Sequence, residues 1–273
     1  MSRVVLVHGA FNELWGPHEI LQRWVPALRD GLWHVGADLD PDDVGCVFYG
    51  DLFRLDPDAG DIVDPADLAA KSGMLDVLNS IPNADHLASL AHAVGQAANE
   101  RLMDQVGRFM AAGDVRREVR RRVDQVLGED TELVVAHSLG TLVAYTVLAA
   151  RPELSPALIT MGSPLATPMA FDQLRPAPVD GVGVWPGSVS SWTNIAAVGD
   201  PACGGKGLSP RFGDRVRDHA VDNGHRAHDP EPYLNAAATG AAVASALGLE
   251  IQPRKPGPGL SPGGGPGTRR SGR

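Results

Sequence analysis

The feature that most narrows what this chain can fold into is a series of short, unbroken apolar runs separated by helical patterns. Leu133 to Ala136 and Ala157 to Met161 show no in-out alternation. Strands buried on both faces read this way, whereas a strand with one wet face alternates. Further strands are expected at Val4 to Val7, Val44 to Tyr49, Trp192 to Val198 and Val216 to Val221. Between them, one helix is expected from Pro17, with Leu21, Trp24, Val25 and Leu28 on one face and Pro26 as a point of kinking. A second is expected from Asp114 through Val119 and Val123, and a third over Leu139 to Ala150. The pattern predicts an α/β fold with a mostly parallel central sheet flanked by helices.

One domain is expected over residues 1–251. Within it, residues 56–113 exceed what the sheet requires and carry Leu87, Leu90, Val94, Ala98, Leu102, Val106 and Phe109 at spacings of three and four. This helical insertion is either a lid over a site or a helix packed permanently on the sheet. Residues 252–273 are nearly all Pro, Gly, Ser and Arg, a disordered tail that cannot bury enough apolar surface to offset its ordering entropy.

The chain carries a net charge of −9, and Arg254, Lys255, Arg269, Arg270 and Arg273 all lie in that tail, so the body is more acidic still. Such a body repels phosphate backbones, which argues against a nucleic-acid partner. No stretch reaches the roughly 18 apolar residues of a membrane span, and the initial apolar run is too short for a secretory signal, so a cytoplasmic location is expected by default. Cys46 and Cys203 have no metal-ligand spacing and read as free thiols. Neither a protein partner nor an oligomeric state is legible.

Two segments match a small-x-Ser-x-Gly pattern. Gly259-Leu260-Ser261-Pro262-Gly263 is the stricter match, but it sits in the tail with no strand or helix beside it. Ala136-His137-Ser138-Leu139-Gly140 follows an apolar run and precedes a helical one. A sharp strand-to-helix turn there strains the serine backbone and exposes its hydroxyl, and it needs small residues two before and two after. Ser138 is therefore the candidate nucleophile and Ser261 a linker serine. The helix after Ser138 aims its free N–H groups at the place where negative charge would form, which makes the Leu139 amide one oxyanion donor.

With these landmarks the chain resembles the α/β-hydrolase superfamily, lipase- and esterase-like serine hydrolases in particular. Val7-His8-Gly9-Ala10-Phe11 is similar to the H-G-x segment after an early strand, and the resemblance implies Ala10 N–H as the second oxyanion donor and His8 as a supporting turn residue. Thr160-Met161-Gly162-Ser163-Pro164 resembles the G-S-P turn after the next strand, which makes Ser163 a loop residue. Trp24 to Leu28 and Tyr49 to Phe53 add to the lipase-like look. The resemblance covers roughly residues 3–248 and leaves the insertion and tail unmatched.

A serine hydroxyl needs a histidine to take its proton and a carboxylate to hold that histidine, in the chain order Ser, Asp, His. Asp200, in the turn after the strand ending at Val198, matches the superfamily's acid position; Asp51 is the main alternative, with Asp222 and Asp229 less favoured. His228, followed by Asp229-Pro230-Glu231-Pro232, resembles the catalytic histidine before a final helix. His225 is the alternative base, and His219 reads as structural. The expected activity is hydrolysis of an ester or related acyl bond on a small-molecule or lipid-like substrate, with no metal or organic cofactor implied. A thioesterase, peptidase or acyltransferase on the same fold, and a binding module without turnover, stay open.

Overall fold

The computed structural model describes residues 2–54, 101, 104–110, 113–187, 189–203 and 207–252. Six strands form one sheet in which every pair is parallel: β1 (Val4–Val7), β2 (Val44–Val47), β3 (Leu133–His137), β4 (Ala157–Met161), β5 (Trp192–Ala197) and β6 (Val216–Val221). Their order across the sheet is β2-β1-β3-β4-β5-β6. Two strands stop short of their expected ends. Beyond Val47 the chain turns inward to bury Tyr49, and beyond Ala197 it enters the turn that carries Asp200.

Helices cover both faces, as a parallel sheet with apolar side chains on both sides requires. In β1, side chains alternate between the faces. Val5 and Val7 pack with Val119 and Val123 of α2 (Gly113–Val126) and Leu142 and Tyr145 of α3 (Leu139–Ala149). Val4 and Leu6 pack with Trp24 and Leu28 of α1 (Pro17–His34) and Val243 and Leu247 of α7 (Ala237–Leu247). α1 runs on through Pro26, and α2 begins at Gly113, one residue before the expected Asp114. Three short helices have no apolar repeat long enough to read from sequence: α4 (Pro168–Phe171), α5 (Ser209–Phe212) and α6 (Pro230–Asn235).

The strand order determines where a ligand can sit. From β1 the chain crosses to β2 on one side and later returns to β3 on the other, so the loops after β1 and β3 diverge. A crevice opens at such a switch point, outside the carboxyl ends of the strands. The register sets Val7 beside Ala136, Ala136 beside Thr160 and Met161 beside Ile195, so these loops emerge at one level.

Of the expected insertion, the helical residues 104–110 are described, and Val106 and Phe109 there are buried in the core. Arg101 and Arg108 donate to the carbonyls of Phe53 and Leu52, tying this stretch to the end of the β2 loop. Residues 55–100, 102, 103, 111 and 112 and the tail from 253 on, Ser261 included, lie outside the described residues. Among the described residues no helix is long and apolar enough to cross a membrane.

Candidate active site

Ser138 follows β3 directly and caps α3 with φ 53° and ψ −126°. A side chain is strongly disfavoured in that region. Three features hold the serine there. Its N–H donates to Met161 O at 3.0 Å, its carbonyl accepts from Thr141 Oγ1 at 2.7 Å, and Gly140 lets α3 start against the loop after β1. A Cβ on Gly140 would collide with the carbonyl oxygens of Val7 and His8. Ala136, two residues before Ser138, is fully buried in the core layer that α3 packs on, where a small side chain lets the helix approach the strand.

His228 and Asp200 converge on Ser138 from loops 28 residues apart. His228 Nε2 lies 2.9 Å from Ser138 Oγ, and His228 Nδ1 lies 2.9 Å from Asp200 Oδ2. Asp200 is 3% exposed, so its charge must be compensated from within the protein. Burial would raise its pKa, but hydrogen bonds from His228, from Tyr233 OH at 2.6 Å and from Ala202 N–H at 2.8 Å outweigh it and hold the carboxyl down at about 2. An ionised Asp200 accepts only, which assigns the proton between the two side chains to His228 Nδ1 and leaves Nε2 facing the serine.

The other candidates lie elsewhere. Exposed His225 sits in the turn Gly224–Arg226, and His219 lies on the exposed part of β6. Asp51 forms a two-point ion pair with Arg122 of α2, Asp229 pairs with Arg226, and Asp222 accepts from Gly224 N–H within its own turn. Ser163 is buried, 2.9 Å from Thr141 Oγ1, and acts as a strut under the turn.

The loop after β1 is fastened beside the serine. A Cβ on Gly9 would stand 2.7 Å from Ser138 Cβ, so glycine is needed for the approach. Asn12 Nδ2 donates to the carbonyls of Gly9 and Ala10 at 3.0 and 2.9 Å. With both carbonyls held by one side chain, the Ala10 peptide is fixed in orientation. Fully buried His8 donates from Nδ1 to Gly9 O at 2.8 Å and accepts Tyr49 N–H at Nε2, and Tyr49 OH donates to His8 O. Burial pushes the His8 pKa down to about 4, so it stays neutral and supports the turn. The Leu139 amide lies in the first turn of α3, where N–H groups have no acceptor within the helix.

Four further residues contribute, and three of them have no signal in the sequence that marks their task. Tyr233 is fully buried in α6; its hydroxyl donates to Asp200 and accepts Ala197 N–H at 2.8 Å. His137 donates from Nε2 to the backbone carbonyl of His228 at 2.8 Å, holding that loop over the serine. Burial, followed by the neighbouring His228, lowers the His137 pKa to about 3. Gly162 leaves room for Asp200 and His228: a Cβ there would stand 3.0 Å from Asp200 Oδ2. Asn12, four residues after His8, is the one a closer reading of the H-G segment could have found. Cys203 packs near Tyr233 OH, and burial raises its thiol pKa to about 12, as it does for Cys46, so neither is a reactive thiolate.

Ser138 and His228 form part of the wall of a cleft of about 390 Å³. Among the described residues no cluster of three or more His, Cys, Asp or Glu side chains is placed to hold a metal ion. The structure is thus an α/β protein whose polar cluster lies at the switch point of a parallel sheet. No protein-family profile matches this chain, and no characterised protein matches it by sequence.

Proposed function

We propose that this protein is a serine hydrolase of the α/β-hydrolase type that cleaves an ester or related acyl bond through an acyl-enzyme. The observation that carries the proposal is the hydrogen-bonded run from Asp200 through His228 to Ser138, ending on a serine held at positive φ. A strained serine backbone persists only where surrounding structure imposes it, and such strain clusters at reactive positions.

In the proposed reaction, His228 Nε2 takes the Ser138 hydroxyl proton as Oγ attacks the substrate carbonyl carbon. Asp200 keeps the imidazole oriented and stabilises the cation that forms. The Ala10 and Leu139 amides receive the developing oxyanion, each worth about 3 kcal/mol where such donors have been removed in other enzymes. The His228 proton passes to the leaving alkoxide. Water, activated by the same histidine, then attacks the acyl carbon and releases the acid and free Ser138.

A fluorophosphonate probe, which phosphorylates an activated serine, tests this directly. The folded protein should be labelled at Ser138 and should hydrolyse p-nitrophenyl esters, while Ser138→Ala should lose the label and at least about a thousandfold in kcat/KM. A folded protein that takes no label would overturn the proposal. Transfer of the acyl group to an added alcohol in preference to water would reassign it as an acyltransferase.

A further inference from the structure

The cleft beside Ser138 has a chemistry of its own. Its walls are Val106, Leu139, Pro164, Thr167, Met169 and Ala202, together with the prolines that flank them and the reactive pair Ser138 and His228. None of these is Lys, Arg, Asp or Glu. Among the described lining residues, the one polar side-chain group apart from the reactive pair is the Thr167 hydroxyl, which already donates to Pro164 O at 2.7 Å. A charged group entering such a space would lose its hydration without compensation, whereas an alkyl chain gains by leaving water.

The wall also distinguishes the two halves of an ester. Leu139 and Val106 are 0% and 3% exposed, so these parts of the wall are set into the core. The His228 side chain, which would protonate the leaving group, is 29% exposed. In the proposed reaction the leaving group therefore departs past the more exposed residue, and the acyl group bonded to Ser138 packs on the buried ones.

Resting on the hydrolase reading, we infer that this cleft is an acyl pocket selective for uncharged chains of medium length, with Met169 of α4 setting the limit. The volume supplies the length. At roughly 30 Å³ for a group the size of a water molecule, about 390 Å³ accommodates about a dozen such groups. The reacting carbonyl and the first atoms of the leaving group take about four of them, which leaves room for about eight chain carbons. Met169 is 37% exposed, so its side chain lies at the rim and can be exchanged without disturbing the core.

The test is a series of p-nitrophenyl esters from acetyl to hexadecanoyl on the full chain, run beside acetate esters of alcohols of increasing length. Each methylene buried should raise kcat/KM about fourfold until the pocket is full. The expected result is an optimum near octanoyl, at least about a hundredfold above acetyl. The equivalent chain ending in a carboxylate should react at least about tenfold more slowly. Met169→Trp should lower the octanoyl-to-acetyl ratio at least about tenfold, with circular dichroism as the check on folding. Indifference to acyl length, an optimum at hexadecanoyl, or a rise along the alcohol series in place of the acyl series would each overturn the pocket. If Ser138 takes the fluorophosphonate and esters turn over without chain-length dependence, the hydrolase reading stands and only the pocket falls. With neither labelling nor turnover, both fall.

Discussion

Replacing Ser138 by glycine should leave the protein more stable than replacing it by alanine, the reverse of the usual order. In an ordinary element, glycine costs about 0.5–1 kcal/mol relative to alanine because it loses more backbone freedom on folding. Ser138 has φ 53° and ψ −126°, where a Cβ clashes with the backbone and glycine does not. Holding a side-chain-bearing residue there costs about 1–3 kcal/mol. Both Ser138→Gly and Ser138→Ala remove the hydroxyl and its 2.9 Å contact with His228, so that loss cancels between them. The difference is the strain released less the entropy of glycine, about 0.5–2 kcal/mol in favour of Ser138→Gly. Equilibrium urea unfolding reads it as a higher midpoint at an unchanged m value. In a chain of this size it corresponds to a rise in Tm of a few degrees, about 2–4 °C per kcal/mol. Neither variant should take a fluorophosphonate label. If Ser138→Ala proves as stable as Ser138→Gly or more so, the turn stores no strain and the argument for an imposed serine geometry fails.

Tyr233→Phe removes a donor to buried, charged Asp200 and strands the Ala197 N–H. Hydrogen bonds to charged groups are worth about 1.5–3 kcal/mol, so kcat should fall at least about tenfold with KM nearly unchanged; an unaltered kcat would refute a positioning role. His228→Ala should abolish turnover and His225→Ala should retain it, and the opposite outcome would move the base three residues upstream. Stability should fall on mild acidification before the carboxylates titrate. An unfolded histidine takes up its proton near pH 6.5, whereas His8 resists until about 4 and His137 until about 3. Their contribution is complete above pH 6.5 and is lost as the pH falls, by about 1.4 kcal/mol per unit for each histidine between its unfolded and folded values. Urea midpoints across pH 7 to 4.5 measure the slope, and His137→Asn should make it shallower; equal slopes would mean that His137 takes up its proton as readily in the folded protein as in the unfolded chain.

Much of the fold was legible because its signals are local. Leu133 to Ala136 announces a strand buried on both faces, and the change to a helical period after Ser138 marks a sharp turn, all within a dozen residues. The strict motif around Ser261 has no such flanks, and it lies outside the described residues. Short α4 and α5 carry no readable period, because each is a single turn, and the final helix that the resemblance implies after His228 is divided into α6 and α7. The interior of the insertion between residues 55 and 100 likewise lies outside the described residues.

By itself, the sequence determined the α/β architecture, the Ser138 turn and the small residues around it, since each depends on backbone geometry within a few positions. Only the tertiary structure decided which carboxylate and which imidazole meet that serine. Asp51 and Asp200 both close strands, and His225 and His228 are three residues apart in one loop. What separates them is strand order: β2 lies at the sheet edge, where Asp51 faces Arg122, while β3, β4, β5 and β6 run side by side and bring the Asp200 and His228 loops over Ser138. Hydrogen bonds between residues tens of positions apart depend on that order and register, which no local pattern encodes.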